Sequence, residues 1–130
     1  ESEPTIVPIE RAHFYNCLVT GYANDEVYAS FKEEKEDRQV RFHHCVLLTD
    51  VKDPTYFDTC VSDSPDSLTY RDTHFRTFDT HAFLYDFRLD SLSTARAKGS
   101  PDYSRLFPTD PDGNERGDRP DAGCYQYPLQ

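Results

Sequence analysis

At 130 residues and 15.1 kDa the chain has room for one domain with a real core, residues 1–130, and not for two of ordinary size. Fourteen basic residues stand against 24 acidic ones, and the resulting charge of −10 excludes long-range attraction to DNA, RNA or anionic lipid, leaving only local contact. Aromatics at 14% in a chain of mean hydropathy −0.80 point to a core of Phe and Tyr, and no apolar run approaches the roughly 20 residues that cross a bilayer.

The sequence holds no Met and opens Glu1-Ser2-Glu3-Pro4, which reads as a processed terminus. Four cysteines without a Cys-x-x-Cys pair fit an oxidising compartment better than a zinc site, so a secreted, monomeric protein without a metal or other cofactor is expected. Three disulfide pairings are open. The Asp53-Pro54 turn signal favours Cys45 with Cys60, which leaves Cys17 with Cys124 and a closed loop worth about 4–5 kcal/mol in the chain-entropy account.

In chain order, Ala12 to Cys17 reads as a first short strand. Asn24 or Asp25 is a good N-cap for a helix over Glu26 to Asp37, with Val27 and Phe31 at i, i+4 and Lys32 to Asp37 as a solvated face. Strands follow over Val40 to Leu48, Thr55 to Val61, Thr73 to Phe78 and Ala82 to Leu89, separated by Asp, Pro and Ser clusters. Arg96 to Pro101 is a turn, Pro108 to Asp121 a solvent loop without an apolar side chain, and Cys124 to Leu129 a last strand. No internal repeat stands out. These elements predict an α+β fold, one N-terminal helix packed on a curved antiparallel sheet.

Tyr15-Asn16-Cys17, then Tyr22 and Glu26-Val27, resembles the opening of the small guanyl-specific fungal ribonucleases. Tyr85-Asp86-Phe87 is similar to that family's Tyr-Glu-Trp, and Gly99-Ser100-Pro101 with Arg105 to its Gly-Ser-Pro-x-x-x-Arg. The resemblance implies a ribonuclease-like fold in which Asp86 is the base, Arg105 holds the phosphate, and His43, or equally His44, serves beside them. The family's general acid, a histidine, is replaced by Tyr127, a poor proton donor at neutral pH with its ordinary pKa of about 10. Asp for Glu also withdraws the carboxylate by one methylene, and a misplacement of about 1 Å can cost roughly a hundredfold. The implied protein is an inactive relative, similar to the ribonuclease-like secreted effectors of plant-pathogenic fungi. Such a protein binds a host protein, an immune receptor among the candidates, or RNA, and is delivered into host cells. An active guanyl-preferring endoribonuclease is the alternative.

Cys45 and Cys60 also resemble the cysteine spacing of fungal β-barrel allergens, which lack the expected helix. Arg116-Gly117-Asp118 has the form of an adhesion tripeptide. Asp110-Pro111-Asp112-Gly113-Asn114 has the look of a calcium loop, with its glycine two positions early and no closing Glu. His74 and His81 lack a matching metal-ligand pair and read as surface residues.

Overall fold

The computed structural model describes residues 9–28 and 39–128. Its first half is built from parallel, not antiparallel, pairs. Strand β1 (Ala12–Tyr15) pairs with β3 (Val40–His43), and β3 with β5 (Phe57–Asp58); β2 (Leu18–Val19) pairs with β4 (Val46–Leu47), and β4 with β6 (Val61–Ser62). Each β1-type strand turns a corner into a β2-type strand, so the chain winds through three stacked rungs of a short β-solenoid.

The register makes the repeat plain. Phe14, Phe42 and Phe57 align, and their rings stack at 4.8 and 5.6 Å. Tyr15, His43 and Asp58 form the next column, and Leu18, Val46 and Val61 another. Between them, Asn16, His44 and Thr59 turn the corner at φ values of 54°, 52° and 53°, each followed by a cysteine. The shared pattern is therefore Phe-x-x-Cys followed by Leu or Val, correcting the expectation of no repeat. Its spacing hides it: Phe14 and Phe42 lie 28 positions apart, Phe42 and Phe57 only 15.

Inside the turn, Phe42, Cys45 and Leu47 are buried with Val19, Val27, Val40 and Phe57 packed on them. The opposite face of the β2–β4–β6 sheet is covered by the C-terminal half, where Val46 meets Leu89, Ala95, Ala122 and Tyr127. That half carries a 3-10 turn (Arg71–His74), one antiparallel hairpin of β7 (Phe75–Asp79) and β8 (Leu84–Leu89), and a single-turn helix, α1 (Pro101–Ser104).

Several expectations are overturned. The α+β arrangement of an N-terminal helix on a curved antiparallel sheet is not seen. No helix of seven or more residues occurs among the described residues. Of the expected helix over Glu26 to Asp37, Glu26 to Tyr28 are irregular, with the Glu26 N–H donating to the Leu48 carbonyl of the second rung at 2.8 Å; residues 29–37 lie outside the described residues. Neither disulfide is present, and Cys17, Cys45, Cys60 and Cys124 are free thiols. The first three each follow a corner residue and are stacked by the register, and Cys124 is exposed. The 108–121 loop is not wholly in solvent: Asp110, Pro120 and Asp121 are buried. Residues 124–128 form no strand.

Candidate functional site

In a strand successive side chains alternate sides, so with Phe14 and Phe42 directed inward, His13, Tyr15, Arg41 and His43 share the outer face of the first sheet. Asp58 joins them from β5. Tyr103 of α1 reaches this face from the C-terminal half, its ring 4.1 Å from Tyr15 and 5.8 Å from His43. Tyr15 and His43 are themselves stacked at 4.7 Å and 12°.

A hydrogen-bonded line runs across the three rungs. His43 Nδ1 lies 3.0 Å from Asp58 Oδ2, and Asp58 Oδ1 also accepts from the Thr59 hydroxyl at 3.0 Å. His43 Nε2 lies 3.1 Å from His13 Nδ1, which is also 3.1 Å from the Tyr15 hydroxyl; Arg11 donates to that hydroxyl at 3.0 Å. A carboxylate only accepts, so the proton between Asp58 and His43 sits on Nδ1. With both imidazoles neutral, His43 Nε2 then accepts from His13 Nδ1–H, which leaves the lone pair of His13 on Nε2. That atom makes no hydrogen bond among the described residues.

The electrostatics bear on His13. Burial, then the neighbouring Arg11, His43 and Arg41, hold its pKa below the ordinary value and favour its neutral ring. The His43 hydrogen bond, with that of Thr59, holds the Asp58 carboxyl down. Burial pushes the Tyr103 phenol up, helped by Tyr15, Asp58 and Asp102. Beside this line, Arg11, Tyr15, Tyr103, Leu106, Phe107 and Arg116 line a groove of about 540 Å³. The face can therefore hold an anion between guanidinium groups, stack a ring on Tyr15 or Tyr103, and accept a proton at one imidazole.

The four residues expected at a ribonuclease-like centre are not brought into contact. His43 belongs to the line just described. Arg105 stands two residues beyond Tyr103, but its guanidinium is exposed and paired with Asp102 at 3.2 Å. Asp86 lies on β8, receiving the Arg88 backbone N–H at 3.0 Å and its guanidinium at 3.1 Å; these interactions lower its pKa, whereas a general base at neutral pH needs a raised one. Tyr127 packs into the core beneath Arg96, whose guanidinium carbon is 4.1 Å from the ring centroid. His44 is a corner residue with its ring edge toward Tyr103.

The sequence pattern does not single out His13, Arg11, Arg41, Asp58 or Tyr103, and Tyr15 enters there only as part of the Tyr15-Asn16-Cys17 motif. Their signal is the alternation Arg11-x-His13-x-Tyr15 and Arg41-x-His43, which becomes visible once the two segments are aligned on Cys17 and Cys45. Among the described residues no group of three or more His, Cys, Asp or Glu side chains is placed to hold a metal ion. Asp110 instead uses its oxygens for Asp112, Asn114 and Gln126 N–H groups. His74 is buried rather than on the surface, and His81 is exposed. The chain matches no protein-family model, no curated protein and no solved structure.

Proposed function

We propose that this protein acts by binding, and that its ligand is single-stranded RNA laid across the outer face of β1, β3 and β5. The observation that carries the reading is the concentration of Arg11, Arg41 and two histidines around the Tyr15–His43–Tyr103 stack, in a chain whose overall charge is −10. Stacking rings beside guanidinium groups suit unpaired bases and their phosphates. The repulsion of the remaining surface confines such binding to this face, and its guanidinium–phosphate contacts make it weaken with salt.

The test is fluorescence anisotropy of a labelled RNA oligonucleotide at low and moderate salt. Binding is expected at low salt, weakened about tenfold or more by Arg41→Ala and by Tyr103→Ala, since a base stack alone is worth about 1–3 kcal/mol. An affinity indifferent to both substitutions, or absent at low salt, contradicts the reading. The Asp58–His43–His13 line favours a second reading, cleavage of the bound RNA through its 2′-hydroxyl with His13 Nε2 as the proton acceptor. Gel analysis of the incubated oligonucleotide decides it: intact RNA, or cleavage that survives His13→Gln, removes that second reading and leaves the first standing.

A further inference from the structure

We propose that Cys17, Cys45 and Cys60 form a thiol–disulfide exchange site. It reduces a small-molecule disulfide and keeps the oxidation as one labile bridge that moves between Cys17–Cys45 and Cys45–Cys60.

The register stacks the three residues. Tyr15 pairs with His43 before the corner and Leu18 with Val46 after it, so Cys17 stands against Cys45. His43 pairs with Asp58 and Val46 with Val61, which sets Cys45 against Cys60 in the same way. The backbone bonds continue through the corner: the Val46 N–H donates to the Cys17 carbonyl at 2.9 Å and the Val61 N–H to that of Cys45 at 2.8 Å. The side chains repeat as well. Each thiol donates to the carbonyl two residues before it, Cys17 to Tyr15 at 3.4 Å, Cys45 to His43 at 3.3 Å and Cys60 to Asp58 at 3.5 Å, so all three point the same way. Cys45 Sγ also receives the Cys17 N–H at 3.4 Å. Cys45 is thus the buried middle of a column, with Cys17 and Cys60 partly buried on either side of it.

Spacing decides what kind of bridge the column makes. Neighbouring strands lie about 4.8 Å apart, which is within the Cα separation of a disulfide. Side chains that point the same way keep that spacing at Cβ, beyond the roughly 3.5–4.5 Å that is usual, so a bridge here is stretched and easily reduced. Because Cys45 lies between the other two, only one bridge forms at a time and the third thiol stands beside it. This differs from the two fixed bridges expected from the sequence and absent from the fold, and Cys124 takes no part.

Hydrogen bonds with Cys45 outweigh burial and hold the pKa of Cys17 and of Cys60 down at about 7, whereas the same bonds, then burial, push that of Cys45 up. The two ends are therefore partly thiolate at neutral pH, and Cys45 keeps its proton. An end thiolate attacks the small disulfide, forming a mixed disulfide and releasing one small thiolate, which solvent protonates. Cys45 then attacks the end sulfur, its proton leaving with the second small thiol. Two electrons have passed from the protein to the small disulfide. The other end thiolate attacks the Cys45 sulfur, breaking the first bridge as the second forms.

The test uses the full chain, reduced and then treated separately with oxidised glutathione and with cystamine, an anionic and a cationic disulfide. After acid quenching and alkylation, tryptic cuts at Arg41 and Lys52 place the three cysteines on separate peptides, so mass spectrometry reads each bridge. One bridge per molecule is expected, with Cys17–Cys45 and Cys45–Cys60 both present, in the same ratio for both oxidants, and fully reversed by reduced glutathione. Cys45→Ser protein of unchanged circular dichroism should lose the bridge entirely and stop at the mixed disulfide. Should that variant not fold, the parent protein alone decides. A bridge from Cys17 to Cys60 or to Cys124, a single pair, a ratio set by the oxidant, resistance to reduced glutathione, or no bridge in the parent overturns the proposal.

Discussion

One corner residue carries the bend of each rung, and the three are not equally suited to it. Asn tolerates the left-handed region better than most residues, and the side chain of Asn16 is further held by both backbone groups of Ser100, 84 positions along the chain. Thr59 is β-branched, a poor occupant of φ 53°, and it is exposed, with its hydroxyl bonded among the described residues to Asp58 alone. Thr59→Asn is therefore expected to stabilise the protein by about 1 kcal/mol, the scale of the left-handed penalty. That corresponds to a rise of a few degrees in the thermal midpoint. A variant melting at or below the parent contradicts this account of the corner. At this scale the sequence is partly legible: it draws attention to His43, for a ribonuclease-like role, but not to His13, because the place of His13 depends on which residue stands beside it in the next rung.

Among the elements, the strands expected between Ala12 and Leu89 each contain strand residues, whereas none forms over 124–128, and the parallel pairing of the first half is missed. Val40 to Leu48 was taken as one strand because every side chain suits a pleated surface. The left-handed His44 divides it and re-phases the alternation, so Cys45 and Leu47 turn inward while Val46 faces the C-terminal half. Asp53-Pro54 reads as a hairpin turn, yet it serves a coil returning to a parallel neighbour; local turn chemistry does not reveal where the following strand docks. The 108–121 segment was read as solvent loop because it lacks apolar side chains, whereas its order comes from a buried carboxylate. Burial alone would raise the Asp110 pKa, but the N–H groups of Gln126, Asn114 and Asp112 together with the Asn114 side-chain amide overcome it, and the net shift is downward. A carboxyl with a depressed folded pKa contributes stability above its unfolded value, about 3.9, and loses it as pH falls through the folded value. Asp110→Ala is expected to cost about 2–3 kcal/mol near neutrality, the worth of charge-assisted bonds to one carboxylate. The gap between parent and variant urea midpoints should narrow below about pH 4. A gap that stays constant down to pH 2 shows that the ionised form is not what the loop needs.

At the scale of the whole molecule, a buried polar junction unites the solenoid with the half that follows it. Asp63, at the end of the third rung, accepts from Thr20 of the first at 2.7 Å, from the Arg71 N–H at 3.1 Å and from His74 Nε2 at 2.8 Å. His74 Nδ1 lies 2.9 Å from the Ser93 hydroxyl and 3.1 Å from that of Thr69. Aspartate, imidazole and hydroxyl in line resemble a nucleophilic triad, but the Asp63 and His74 side chains are both 0% exposed, so no substrate reaches them and the junction is structural. Its value lies in pairing: a carboxylate left in that site without its imidazole keeps the desolvation cost and loses the partner that offsets it. His74→Ala is accordingly expected to destabilise the protein by about 3–5 kcal/mol in urea unfolding. Asp63→Ala in that background should then cost less than it does alone, because the carboxylate it removes has already lost its partner. A double-mutant cycle isolates this, with a coupling of about 1–3 kcal/mol expected for groups in direct contact. Strict additivity of the two substitutions means that Thr20 and Arg71 hold Asp63 without help from His74, and that the two halves are joined by the apolar contacts of Val46, Leu89 and Ala95 instead.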